Sequence, residues 1–377
     1  MKFLKNKNVI IWIINFIISV ALMCVGYKIT KNKYISLNNS GAAKEAVVTE
    51  VVDKNENTYE ADGKKTKTVE VIFKAKLKDG KIVTASQSID DYSSLSKPVS
   101  KGNKILVYEN QGIYFFGDYV RINKIIILML IFFALLIILG GIKGLNTLVS
   151  LVFTCASIFI FFLPSILSGY NIYISAIVTC VYIIIMTLLF INGLSKKTLT
   201  TILGCIFGVI TAGIIFFIMN KILYLTGVAC EDELYLQMLD VHINLKAIIF
   251  AAIIISSMGA VMDVSMDISS ALHEIKIHKP NISPKEMFKS GLNIGRDIMG
   301  TMSNTLILAF IGKSLSTVLL IMTYASSVGE IFNKELIVIN MLEALIGSLS
   351  ILLTAPITSL ICSYIYNKNF KFKKKIS

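Results

Sequence analysis

The chain has 377 residues, of which 55% are hydrophobic and 16% are charged, and its formal net charge is +13. The apolar residues come in blocks of about 20, the length of a helix that crosses a bilayer. Most basic residues flank these blocks or lie in one soluble segment, so the positive charge does not indicate nucleic-acid binding. The composition predicts an integral membrane protein whose first partner is the lipid bilayer.

The residues that usually carry enzyme chemistry form no recognisable motif. The six cysteines show neither a CxxC pair nor metal-ligand spacing. His273 and His278 are one residue further apart than the histidines of the zinc motif HExxH, so on a helix they point about 140° apart. Gly-Lys-Ser at 312–314 resembles the end of a P-loop, but Ile307 stands where the first glycine belongs. We therefore predict no metal, no cofactor and no catalytic residue.

The first apolar block, at residues 9–27, follows three lysines and predicts either an uncleaved first span or a signal peptide. The block is longer than the hydrophobic region of a typical signal peptide, and no A-x-A cleavage site follows it. These two features favour an uncleaved span, so residues 1–29 are assigned to a signal anchor.

Residues 30–122 form the one sizeable soluble segment, where short alternating runs replace the long apolar blocks. Asp79-Gly80 is a hairpin signal between two of these runs. Five short strands predict a small β-barrel of the OB or SH3 type. No catalytic cluster is visible in it, which favours binding of a protein partner. The strands are predicted at residues 46–52, 68–77, 81–89, 104–110 and 114–120.

Residues 123–377 contain seven more apolar blocks, which raise the predicted number of membrane spans to about eight. Gly204 and Gly208 lie one turn apart in one block, a spacing typical of close helix packing. The predicted fold class is an α-helical polytopic membrane protein with a small extracytoplasmic β-rich domain between spans 1 and 2. The seven blocks are residues 125–142, 145–163, 172–191, 199–219, 245–264, 302–324 and 336–366.

Loop charges predict the orientation, because short cytoplasmic loops accumulate Lys and Arg. The uncharged turn at 164–171 and the acidic loop at 231–240 fall on one side of the membrane, which we expect to be the outside. Both termini are then cytoplasmic, and the β-rich domain is external. The basic segments on the cytoplasmic side are the N-terminus, Lys143, residues 196–197, residues 276–296 and the C-terminal tail.

The sixth apolar block runs into a polar stretch at residues 259–275. If the helix continues through this stretch, Asp263, Asp267 and Glu274 share one face, while Met262 and Met266 turn away from it. Polar side chains at the end of an apolar span are unusual, since a charge in the membrane is costly. This face is therefore the main candidate for function.

A second polar face precedes the seventh span, where Asn293, Asp297 and Asn304 recur at helical spacing. A carboxylate at the membrane boundary needs a partner or water, and Arg296 is the natural partner for Asp263. Two interpretations remain open. The polar residues form a gate or relay for an ion or solute, or they are solvated helix ends that hold the two helices together.

Lys313 and Glu343 form a second, deeper pair of charges. Lys313 lies near the middle of the seventh span, and Glu343 lies in the outer half of the eighth. Antiparallel neighbouring helices would bring them to a similar depth, so an intramembrane ion pair is expected. The alternatives are a pair with a purely structural role, or a break in the helix at Gly312-Lys313.

The runs MGAVMDVSMDISSALHEI at 258–275 and SGLNIGRDIMGTMSNTLILAFIG at 290–312 resemble the signature of the YibE/F family of multi-pass bacterial membrane proteins. The resemblance covers the chain from about residue 125 to the C-terminus. It implies a bacterial cell membrane location and a polytopic topology, and it supplies no catalytic residues.

Two functional hypotheses follow. In the first, the protein is a transporter or a transporter component for an unknown solute or ion, with a charged gate at the cytoplasmic end of spans 6 and 7. In the second, it is a non-transporting scaffold or sensor whose external β-domain binds a partner. The gate residues of the first hypothesis are Asp263, Asp267, Glu274, Asn293, Arg296, Asp297 and Asn304.

Overall fold

The computed structural model describes residues 7–30, 43–61, 64–90, 97–228, 236, 243–324 and 327–367. Several predictions lie outside these residues: the charged N-terminus at 1–6, the basic tail at 368–377, and the acidic loop at 231–240 apart from Leu236. The chain divides into two compact units. One unit comprises Asn32–Ile138, and the other comprises Met1–Lys31 together with Leu139–Ser377.

The first unit contains a closed five-stranded barrel with the strand order β1-β2-β3-β5-β4. Neighbouring strands are antiparallel except for β3 and β5, which pair in parallel. The barrel and the positions of its five strands agree with the prediction, although the first strand is much longer than predicted. The strands are β1 (Lys44–Ala61), β2 (Lys64–Leu77), β3 (Ile82–Asp90), β4 (Lys104–Asn110) and β5 (Ile113–Tyr119).

Alternation of apolar and polar residues explains the barrel core. Val71, Phe73, Ala75 and Leu77 on β2 are buried, while the residues between them are more exposed. The predicted turn at Asp79-Gly80 connects β2 to β3, and Gly80 has a φ of +90° that favours glycine there.

Residues 97–103, which precede β4, are fastened to the barrel by hydrogen bonds that include three at Lys97 and Val99. The Val99 N–H donates to Gln87 Oε1 at 2.9 Å, and Gln87 Nε2 donates to the Lys97 carbonyl at 3.3 Å. The Tyr119 hydroxyl donates to the same carbonyl at 2.6 Å. Val99 is buried against the core, so this segment closes the barrel end.

The rest of the described chain is helical. A π-helical segment, Ser157–Phe162, connects the second and third helices. Asn171, Ser195 and Asn244 cap the helices that follow them, each accepting a backbone N–H through its side-chain oxygen. The helices are α1 (Lys7–Thr30), α2 (Ile122–Ala156), α3 (Leu163–Leu167), α4 (Ile172–Asn192), α5 (Lys196–Ile222), α6 (Leu245–His278), α7 (Pro284–Tyr324), α8 (Val328–Asn333) and α9 (Glu335–Asn367).

Six helical stretches in the described chain are long and apolar enough to cross a membrane, so the predicted count of eight is not confirmed. The predicted second and third spans form one stretch, Ile122–Leu167, because the glycines near residue 141 do not end the helix. Instead Gly141, with a φ of 54° and a ψ of −134°, produces a kink. The first predicted span appears as a shorter apolar stretch, Trp12–Lys28.

Helices α4, α5, α6 and α9 supply most of the helical core. Gly204 and Gly208 of α5 face Thr358 and Thr354 of α9 at very close range, with Ser265 and Val261 of α6 also nearby. The predicted role of these two glycines in helix packing is thereby confirmed, since a side chain at either position would occupy the space of a neighbouring helix.

Glu335, at the start of α9, holds the loop after α5. Its carboxylate accepts hydrogen bonds from the Thr226 N–H at 2.8 Å, the Thr226 hydroxyl at 2.7 Å and the Gly227 N–H at 2.7 Å. Because hydrogen bonds to a carboxylate are stronger than neutral ones, we expect Glu335→Ala to lower the free energy of unfolding by about 2 kcal/mol.

Thermal denaturation of the purified protein measures this loss. Glu330→Gln is the matched control, since Glu330 forms an exposed ion pair with Lys334 at 3.3 Å and such pairs contribute little. Equal stability of Glu335→Ala and the control would contradict the prediction.

Candidate functional site

Helix α6 passes without interruption through the polar stretch, so the predicted face exists as one surface. Asp263, Asp267 and Glu274 are all exposed on it. Met262 and Met266 are partly buried and pack against the helical core. Two carboxylates one helical turn apart, at 263 and 267, thus point away from the packed interior.

The second polar face lies on α7 and is likewise open. Arg296 and Asp297 are exposed, and so are Asn293 and Asn304. Gly300 lies between them, and a Cβ built on it would have no neighbouring atom within 4 Å. Both predicted faces are therefore accessible surfaces of their helices.

The contacts at Gly295 of α7 fix the register of this helix against α6 and α9. A Cβ built on Gly295 would lie 2.9 Å from Ala355 Cβ and 3.5 Å from Ile268 Cδ1. Since Arg296 follows Gly295 and Asp267 precedes Ile268, these two charged residues lie at about the same level along the helices. Asp263 lies roughly one turn away from that level.

The structure does not form the predicted pair of Arg296 with Asp263. Within the described residues, Asp263, Asp267 and Arg296 make no side-chain hydrogen bond and no ion pair. Helix geometry provides the reason. Ile268 and Gly295 make the interhelical contact, and each neighbouring residue is rotated by about 100° out of it. Asp267 and Arg296 therefore lie at the same level, but neither acid is turned toward the arginine.

On the side of α6 opposite the acids, two buried serines contact polar side chains of α9, and the sequence patterns did not predict these contacts. Ser265 Oγ lies 3.2 Å from Thr358 Oγ1, and Ser269 Oγ lies 3.5 Å from Cys362 Sγ. The sequence does contain a pattern that could have indicated them: small polar residues lie four apart on both helices, at 265 and 269 on α6 and at 358 and 362 on α9. These contacts fasten α6 to α9 and hold the opposite, acidic face of α6 outward.

The deeper charges are close to each other. Lys313 Nζ lies 3.4 Å from Glu343 Oε2. Glu343 is only 7% exposed, whereas 65% of the Lys313 side chain is exposed. Lys313 Nζ also lies over the Phe310 ring, 5.9 Å from its centroid. The pair joins α7 to α9 and leaves the ammonium group at the helix surface.

The described residues contain no group of three or more His, Cys, Asp or Glu side chains that could hold a metal ion. His273 Nδ1 is buried without a hydrogen-bond partner, and the imidazole ring lies tilted by 33° against the Tyr366 ring, with 5.6 Å between the ring centroids. The candidate site consists of two open polar faces, one acidic and one of mixed charge.

An accessibility measurement distinguishes water from lipid at the acidic face. We expect Asp263→Cys to react with a membrane-impermeant maleimide in open membrane fragments, because a charged residue at this position requires water or a polar partner. Leu352→Cys is the control: Leu352 is 42% exposed on α9. Thr354, two residues further along α9, and Val261 of α6 both approach Gly208, so Leu352 lies about one helical turn from the level of Asp263. The labelling of the wild-type protein is subtracted as background, because its Cys24 and Cys155 are exposed.

A ratio of about ten in labelling rate between Asp263→Cys and Leu352→Cys is expected, since thiols react as thiolates and a thiolate is disfavoured in lipid. Equal and slow labelling of both positions would show that the acidic face is not in contact with water.

Taken together, the apolar helices, the polar faces on two of them and the separate barrel define a polytopic helical membrane protein with a small β-barrel. The family model described as YibE/F-like protein matches residues 128–368. The chain belongs to this family, as the motifs at 258–275 and 290–312 predicted. Neither the comparison with curated proteins nor that with solved structures finds a match.

Proposed function

We propose that the protein is a transporter, or a component of one, whose charged gate lies at the cytoplasmic end of α6 and α7. One observation carries the proposal: Asp263 is exposed and unpaired, within the described chain, on a helix that is apolar enough to cross a membrane. An unpaired carboxylate at a lipid-facing position is costly. A water-filled path in which an ion or a polar solute passes the carboxylate removes that cost.

In this proposal the chain crosses the membrane eight times. The crossings are α1, the two parts of Ile122–Leu167 on either side of the kink at Gly141, and the five long helices α4, α5, α6, α7 and α9. The even number places both termini on one side, and the loop charges make that side the cytoplasm of a bacterial cell. The barrel is then external, and its parallel β3–β5 pairing favours the OB type over the SH3 type.

Uptake measurements test the transport role. A panel of labelled cations and metabolites is offered to cells that make the wild type, to cells that make Asp263→Asn, and to cells that lack the protein. We expect at least one solute to be taken up or expelled by the wild type alone, with a loss of about tenfold or more in Asp263→Asn. Glu330→Gln, at the other end of the helices, is the control and keeps wild-type flux at equal protein abundance.

The second candidate is a scaffold or sensor whose barrel binds a protein partner. It is favoured by the first hairpin, in which β1 pairs with β4 only over Lys44–Val47 while its pairing with β2 continues to Ala61. Val48 also bonds Asn103 and Gly102 through its backbone, and beyond Val48 the outer backbone of β1 is an edge that another strand can join. Uptake by the wild type equal to that of cells lacking the protein, for every solute tested, would favour this second function.

A further inference from the structure

The barrel unit contains an open cavity of about 1170 Å³ beside the segment that closes its end. Its wall is formed by residues from that segment, by the end of β5 and by the first turn of α2. Four cationic side chains line it: Lys97, Lys104, Arg121 and Lys124. Among the lining residues that the structure describes, Asp118 is the one acid.

The charges of this cavity do not cancel. Asp118 is already satisfied, because Arg121 Nη1 lies 2.8 Å from its Oδ2 and the Tyr119 N–H donates to its Oδ1 at 2.7 Å. These two hydrogen bonds hold the pKa of the Asp118 carboxyl below its ordinary value. In the described part of the chain, the ammonium groups of Lys97, Lys104 and Lys124 lie within ion-pair distance of no carboxylate. The cavity therefore keeps an excess of positive charge.

Part of the cavity wall is apolar. Phe116 and Tyr119 lie edge to face with their ring centroids 5.2 Å apart, and both line the cavity. Ile125, also in the wall, is 57% exposed and begins the apolar run of α2. A ligand that fits this wall carries an anionic group and an apolar part.

The position of the cavity along the chain places it at the bilayer surface. Asn123, Lys124 and Ile125 belong to the first turn of the membrane-spanning stretch Ile122–Leu167. The polar end of an apolar span lies at the depth of the lipid headgroups, where basic residues are attracted to anionic lipids.

We propose that this cavity binds the phosphate-bearing headgroup of an anionic phospholipid. The ammonium groups of Lys97, Lys104 and Lys124 contact the phosphate oxygens, while Ile125 contacts the start of the acyl chains. Inorganic phosphate offers the same anionic oxygens but has no apolar part for Ile125 and the aromatic wall. A lipid in this position ties the end of the barrel to the membrane surface, and it does so whether or not the protein transports a solute.

Lipid binding is measured on the full chain, purified in dodecyl maltoside, by native mass spectrometry during titration with phosphatidylglycerol, phosphatidylcholine or inorganic phosphate. The test variant is Lys97→Gln with Lys124→Gln, and the control is Lys81→Gln, an exposed lysine of the same barrel that does not line the cavity. Since each basic residue near a membrane surface contributes about a fivefold gain in affinity for anionic lipid, the double variant should bind phosphatidylglycerol about 20-fold more weakly.

The wild type and Lys81→Gln are expected to bind phosphatidylglycerol equally and to prefer it to phosphatidylcholine. Equal phosphatidylglycerol affinity of the double variant and the wild type would overturn the proposal. So would binding of inorganic phosphate that depends on Lys97 and Lys124 while phosphatidylglycerol shows no such dependence, because the ligand would then be the free ion. Circular dichroism of the double variant verifies that both units remain folded.

Discussion

Lys313→Met is expected to lower the free energy of unfolding by about 2 kcal/mol, since it leaves the buried carboxylate of Glu343 without its partner. Removing one member of a buried ion pair costs about 3–5 kcal/mol, and the exposed position of Lys313 reduces that figure. Methionine keeps most of the length and apolar character of the lysine stem, so the loss reports the charge rather than the packing. The measurement is thermal or denaturant unfolding of the purified protein in detergent.

A double-mutant cycle separates the ion pair from other effects of the substitution. Lys313→Met combined with Glu343→Gln removes both charges and should recover more than half of the lost stability, because no unpaired charge remains. Lys313→Arg keeps the positive charge and should stay within about 1 kcal/mol of the wild type. Additive losses in the double variant would mean that the contact of 3.4 Å between the two side chains contributes no coupling energy.

Gly208→Ala is expected to destabilise the helical core by about 1–3 kcal/mol, the usual cost of overpacking a tightly packed site. A Cβ at this position would lie 2.6 Å from Val261 Cγ1 and would also collide with Thr354 Oγ1. Helix α5 has little room to shift away from the added methyl contact, because it packs against both α6 and α9 through the same surface. Thermal unfolding of the variant in detergent measures the loss.

Gly213→Ala is the matched control, with the same substitution on the same helix. A Cβ on Gly213 would lie 3.5 Å from Phe250 Cε2, which is an ordinary contact distance. This variant should equal the wild type or gain a few tenths of a kcal/mol, because alanine favours the helix over glycine. Equal loss of stability in both variants would show that the close approach at Gly208 carries no special constraint.

Much of the architecture followed from local patterns. Alternation of apolar and polar residues was enough to locate the five strands, and long apolar blocks were enough to locate the helices α4, α5 and α6. Both signals are local, since they depend on the period of one strand or one helix. The shared face of Asp263, Asp267 and Glu274 followed from the same helical period.

Features that depend on contacts between distant segments could not be predicted from these local patterns. The predicted boundary between the blocks 125–142 and 145–163 lies beside Gly141, but the structure continues the helix through this glycine with a kink, and sequence alone does not distinguish a kinked helix from two helices. The same limit applied to Arg296. Its place in the chain gave its level in the membrane, but the contact between Gly295 and Ile268 decides the direction in which it points.

The sequence by itself determined the class of protein, the family and the residues that carry charge at the end of an apolar helix, because composition and helical period are properties of short segments. The tertiary structure decided which of those charges meet. It brings Lys313 to Glu343, leaves Asp263 and Arg296 apart, and gathers four cations from separate segments around one cavity. Such distances depend on how helices rotate and strands close against each other, and no single segment contains that information.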